Sequence, residues 1–169
     1  MSDDDLLARL DRVAAARCIG IEPAHDYLHV RRVAESARRL AEAEGASRFI
    51  AVAAALLHEL FNYPKGHPES HLSGEVCAEH AIAVLRREGC TEPAVTPIAY
   101  AIRVHPFSLG ITPDTLEARV LQDADRLDSI GAIGIARCFA TSADMKRPLD
   151  EAASRRLCGL KGPGLTCSA

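Results

Sequence analysis

Apolar residues recur along this chain at spacings of three and four, and most of the runs close on a glycine or a proline, which is how amphipathic helices are punctuated. Leu6, Leu7, Leu10, Val13 and Ala14 predict a short helix from Asp3 to Cys18 that stops before Gly20. Beyond Pro23, a stripe of Val30, Val33, Ala37, Leu40 and Ala41 predicts a long helix from Ala24 to Glu44, closed by Gly45. Ser47 is placed to cap a third helix carrying Ile50, Ala53, Leu56, Leu57 and Leu60. A loop over 61–69 holds two prolines and a glycine, and Ser70 then opens a helix to Glu88 with Leu72, Val76, Ala83 and Val84 on one face. Thr91 opens another that ends at His105, before Pro106. Pro113-Asp114 leads into a helix bearing Leu116, Val120, Leu121, Ala124 and Leu127. The run Ile130 to Arg137 is small and apolar, suited to close helix contact. From Ser142 the pattern thins, and 159–169 has no periodicity. One helical domain over 1–141 is expected, with a polar tail over 142–169 that is either disordered or truncated.

Composition sharpens this reading. In 169 residues, 48% are hydrophobic but only 4% aromatic, with no Trp, so Ala, Leu, Val and Ile fill the interior and an all-α bundle of closely packed helices is expected. The net charge of −3 and the lack of any Lys/Arg block argue against a nucleic-acid polymer or a membrane surface as partner. Six scattered cysteines, none in a C-x-x-C, read as reduced core thiols. With no basic-then-apolar leader and no apolar run long enough to span a bilayer, a soluble cytoplasmic protein is expected. There is no G-x-G-x-x-G and no P-loop, which removes the usual dinucleotide and nucleotide cradles.

The chemistry concentrates in a few positions. His58-Glu59 closes an apolar helix, and burying an imidazole and a carboxylate together is costly unless a partner satisfies both. A divalent cation does so, and a core histidine bonded to a carbonyl is the alternative. His25 and His29 are four residues apart, and His29 continues through Val33 and Ala37 into the packed face. Asn62, Lys65 and His67 lie on the loop after the His-Glu pair. Asp123, Asp125 and Asp128 put three carboxylates in six residues of one helix, an arrangement that favours a nearby cation. The helical wheel does not choose among them.

In that order, the motifs Asp26-Tyr27-Leu28-His29, Leu56-Leu57-His58-Glu59 and Gln122-Asp123-Ala124-Asp125-Arg126-Leu127-Asp128 resemble the H…HD…D pattern of the HD-domain superfamily of metal-dependent phosphohydrolases, over 20–140. The departure is Glu59, where the family has Asp. The resemblance implies a compact bundle of about six or seven helices. It also implies metal ligation by His29, His58, Glu59 and Asp125, with Asp123 as the alternative to Asp125, and a catalytic part for Glu59 and Asp125. The ion would be Mn, Mg, Fe or Zn. Lys65, His67, His105 and Asp128 are the residues expected to meet the substrate, which the resemblance makes a nucleotide or similar small phosphorylated metabolite. Members of this kind continue helically after the Gly-Ala-Ile-Gly-Ile-Ala-Arg stretch, so one wall of the site is expected to be short here. Glu59 and that short end favour a rival expectation, a helical ligand-sensing or interaction module that keeps the pocket without turnover. The residues assign no oligomeric state.

Overall fold

A computed structural model describes residues 2–19, 24–64 and 66–147. Within them the chain forms seven α-helices and no strand: α1 Asp3–Arg17, α2 Tyr27–Glu44, α3 Arg48–Leu57, α4 Ser73–Arg87, α5 Glu92–Val104, α6 Leu116–Leu127 and α7 Gly131–Asp144. The all-α expectation therefore holds. Lys65 and most of the expected tail lie outside the described residues. Short 3₁₀ turns at Ser70–Leu72 and Phe107–Leu109 precede α4 and follow α5, so the helix expected from Ser70 begins with a tighter turn.

Helix starts are fixed by side-chain caps. Ser2 and Asp5 form a reciprocal capping box on α1, and Thr115 accepts from the Ala118 amide at the start of α6. α2 begins three residues later than the apolar pattern suggested, because Asp26 turns its carboxylate onto the His29 amide at 3.0 Å and ends the helix there. His25 thus stands outside the helix whose face it was expected to share with His29.

The core is organised around α3. Ala51, Ala53, Ala54, Ala55, Leu56 and Leu57 are all buried, and α1, α2, α5 and α6 pack around this one short helix. So many alanines let neighbouring backbones approach closely on every side, while Leu10, Leu57, Leu85, Ile98, Ile102 and Leu121 fill the remaining space. Cys18, Cys77 and Cys90 are buried thiols as expected, whereas Cys138 is exposed and Cys158 and Cys167 lie outside the described residues.

The close helix contact expected of Ile130 to Arg137 is not what forms. Ile130, Ile133 and Ile135 are 64%, 47% and 62% exposed, and only Gly134 of the run is buried. The reason is local: Gly131 starts α7 with φ +66, and Gly134 lies so close to the Ser129 carbonyl that the glycine side, not the isoleucine side, turns inward. α7 reaches the body of the molecule through Arg137, whose Nε donates to the Ala24 carbonyl at 2.8 Å.

α4 and α5 meet closely at Gly74, where a Cβ would fall on the backbone carbonyl of Arg103. Gly74→Ala would gain ~1 kcal/mol of helix propensity but forces the two backbones apart, at ~1–3 kcal/mol for overpacking. A carbonyl cannot swing aside as a side chain can, so the clash should win. A lowered urea midpoint is expected, and an unchanged or raised one would contradict the contact.

Candidate metal centre and substrate cavity

His58 caps the C-terminus of α3 and His29 sits in the first turn of α2; both are essentially inaccessible to solvent. The Nδ1 atom of His58 lies 2.6 Å from the Ala55 carbonyl, which can only accept, so Nδ1 carries the proton. The Nδ1 atom of His29 lies 2.8 Å from the Asp128 carboxylate and carries its proton for the same reason. Both Nε2 atoms are therefore unprotonated in the neutral rings, and they face each other at 3.2 Å. Two buried lone pairs pointing at one another form no hydrogen bond. The carbonyl bond expected of a core histidine uses only the Nδ1 end of the His58 ring and leaves its Nε2 lone pair in the cluster.

Carboxylates close around this point. Asp125 Oδ1 is 3.5 Å from His29 Nε2 and 4.0 Å from His58 Nε2, and Glu59 Oε1 is 3.8 Å from both. Burial pushes the His29 imidazole down to about 4, with the neighbouring His58 adding to the effect. Burial likewise lowers His58, against the pull of Asp125. Burial would raise the Asp125 carboxyl, but His58, His105, His29 and Arg137 together outweigh it and hold the group below its ordinary value. Neutral imidazoles beside an ionised carboxylate are the protonation states of metal ligands.

The donor set fits a divalent ion. Two ligand atoms each ~2.0–2.2 Å from one metal and 90–120° apart would be roughly 3.0–3.8 Å from each other. The Nε2 pair and the His29–Asp125 pair fall in that range, and the third edge is slightly longer. His29, His58 and Asp125 each offer an atom within 4.8 Å of the others. Asp123, the alternative ligand, instead points outward and pairs with Arg126 at 3.3 Å. Its carboxylate is 60% exposed.

Asp128 takes a place that the sequence did not assign to it. It stands behind His29, where Arg32 grips it through Nε at 2.6 Å and Nη2 at 2.9 Å while Arg137 Nη1 adds a third bond at 3.0 Å. Burial would raise the Asp128 carboxyl, but Arg32 and His29 hold it below its ordinary value. It thus fixes the tautomer and direction of His29, the outer support that metal-binding histidines commonly have. Arg32 and Arg137 escaped sequence reasoning. The signal for Arg32 was its position three residues after His29, on the same helix face; Arg137 carried none.

A cavity of about 760 Å³ opens beside the cluster, with His58, Glu59, Asp125 and His105 at its inner end. That is ample for a small organic ligand. His105, expected to meet the substrate, gives its Nδ1 proton to the Ile102 carbonyl at 2.6 Å, and burial lowers its pKa, so it presents an acceptor to the cavity. His67 stacks on Tyr63 at 4.6 Å behind the cavity wall. His25, Arg126 and Arg137 line the cavity in addition.

The three buried imidazoles give a signed pH dependence. An unfolded histidine titrates near 6.5, whereas His29, His58 and His105 are all lowered, His29 to about 4. Between those values the unfolded chain binds more protons, so stability falls as pH falls, by up to ~1.4 kcal/mol per pH unit for each histidine. Asp125 and Asp128, both held below 3.8, stay charged through that window. Urea midpoints of the metal-free protein should drop steadily from pH 7 to pH 5, and a flat profile would contradict the buried neutral rings.

Comparison with known proteins agrees with the geometry. The sequence profile of the HD domain matches residues 26–130. The uncharacterized protein YpgQ of Bacillus subtilis is 35% identical over 117 residues, 68% of this chain and 56% of its own length, so the chain spans a little over half of that relative. A crystal structure from Lactobacillus plantarum superposes with a TM-score of 0.74 at 31% identity, covering 90% of this chain and 70% of that one. The structure of YpgQ in complex with ADP gives 0.67 at 28% identity, covering 95% and 79%. A predicted HD-superfamily hydrolase from an uncultured Thermotogales bacterium gives 0.59 at 30% identity, covering 92% and 91%. By sequence and by fold, this chain belongs to the HD domain family.

Proposed function

We propose that the protein is a metal-dependent phosphohydrolase acting on a nucleotide or similar small phosphorylated metabolite. HD domains bind divalent metals, and the observation that carries the reading is the pair of opposed His29 and His58 Nε2 lone pairs with Asp125 closing the third side. The ADP bound to YpgQ supports a nucleotide as ligand class. Bound at this point, a divalent ion supplies Lewis acidity, lowering the pKa of a water and polarising a phosphoryl oxygen.

The chain's own residues do the rest. His29 and His58 hold through Nε2, each locked in the required tautomer by Asp128 and by the Ala55 carbonyl. Asp125 brings negative charge to the ion, and Glu59 Oε1 stands close enough to serve either as a further ligand or as acceptor of a proton from water. Arg137, not His105, supplies the positive charge that faces a phosphate in the cavity. Arg137 reaches in from α7 and ties Asp128 at the same time.

Metal analysis together with turnover on nucleoside mono-, di- and triphosphates tests this reading. His58→Ala should remove metal and hydrolysis together while far-UV circular dichroism keeps most of the helix signal. Undiminished metal stoichiometry in that variant would refute the assignment.

Glu59→Gln separates the two parts Glu59 could play. As a ligand, its loss of charge should weaken metal binding. As a proton acceptor or orienting group, it should spare metal and slow turnover by about 10–100-fold. Unchanged metal affinity with unchanged turnover would remove Glu59 from the site, and full metal with no turnover in the parent protein would identify a sensing module instead of an enzyme.

A further inference from the structure

The outer part of the cavity contains a feature that the metal chemistry does not use. Phe107 is 57% exposed and lines the cavity, so one face of a large ring is accessible from within it. Its ring is not loose. The Arg126 guanidinium lies 4.1 Å from the ring centroid, within the range of a cation–π contact, and Arg126 is itself held by Asp123. The backbone beneath is a closed 3₁₀ turn, with the Leu109 amide on the Pro106 carbonyl at 3.0 Å and the Gly110 amide on the Phe107 carbonyl at 3.1 Å. Gly110 ends that turn at φ +66, which an L side chain rarely adopts.

Chain geometry relates this ring to the metal end. His105, on the cavity floor in edge contact with His58, precedes Phe107 by two residues, so their Cα atoms are at most ~7 Å apart. A ligand with its phosphates near His58 and Asp125 would have its far end in the region of Phe107. Phe61 and Tyr63 also line the cavity, but they meet each other edge-on at 4.9 Å, Phe61 lies against His80 at 5.5 Å and His67 already stacks on Tyr63 at 4.6 Å. Phe107 is the better platform.

We propose that Phe107, backed by Arg126, is the surface on which the base of a bound nucleotide stacks, so that the site takes nucleotides in preference to phosphate compounds without a ring. This rests on the nucleotide reading of the site and goes beyond it by naming the group that selects the base end. Aromatic stacking tolerates any base, since every base has a π face, so broad base acceptance is expected.

The test compares ADP with inorganic tripolyphosphate, each titrated calorimetrically into the Mn²⁺-loaded protein. Phe107→Ala should weaken ADP by about 5- to 150-fold, the range for removing one stacked ring, and leave tripolyphosphate unchanged. Phe107→Tyr should retain both affinities, and Phe107→Leu, which keeps bulk but not the π face, should resemble the alanine variant. Unchanged ADP binding in Phe107→Ala overturns the proposal, as does equal loss of both probes, because that loss would lie at the phosphate end or in the fold. Phe107-dependent ADP binding without hydrolysis of any phosphate compound would end the hydrolase reading and leave the platform standing. Hydrolysis with ADP affinity indifferent to Phe107 would do the reverse, and failure of the parent protein to bind either probe would overturn both.

Discussion

Everything at the centre of this protein follows from where two protons are held. The Nδ1 protons of His29 and His58 are committed to Asp128 and to the Ala55 carbonyl, which obliges both Nε2 lone pairs to meet across 3.2 Å. Without a cation, the contact between them is repulsive, and burial opposes protonating either ring. Asp125 and Glu59 add negative charge to the same point. The cluster thus pairs a deficit of positive charge with imidazole lone pairs already turned and deprotonated, a donor set that suits a divalent ion better than a proton.

Such an arrangement needs a rigid frame, and the alanine-rich α3 supplies it. Ala51, Ala53, Ala54 and Ala55 bring the backbones of α1, α2, α5 and α6 close to one short helix, at whose C-terminal end His58 emerges. His29 is aimed by its helix start, since the Asp26 cap on the His29 amide sets the orientation of the first turn of α2. Buried Cys77 approaches the His58 carbonyl at 3.1 Å, and burial pushes its thiol up to about 12, so it acts as a neutral weak donor at the helix end. Backbone packing, capping and tautomer all act in the same direction.

Helical spacing made the helices legible in the sequence because the apolar faces of α1 to α6 are buried, and burial is what periodicity reports. His29 and His58 were marked by their places on apolar runs, whereas Asp125 was singled out only by the family resemblance, and the three do lie together. What periodicity could not convey was direction. Asp123, Asp125 and Asp128 fall within about one and a half turns of one helix end, yet one pairs outward with Arg126, one faces the imidazoles and one stands behind His29. Tertiary partners decide that, and Arg137 comes from a helix of its own. α7 misled because small apolar residues usually mark close contact, while here one glycine makes the approach and the isoleucines remain outside.

The departure at Glu59 has a geometric meaning. Glu59 follows the C-cap of α3, where the backbone has left the helix, and its carboxylate still comes within 3.8 Å of both Nε2 atoms while remaining only 10% exposed. A side chain one methylene shorter on the same backbone would reach less far toward that point. The added torsion has a cost, because a longer carboxylate loses more rotamer freedom when fixed. Burial limits that loss by confining the side chain before any ligand arrives. Glu59 therefore brings a carboxylate charge to the two Nε2 atoms on a side chain longer than an aspartate's, already confined by its burial.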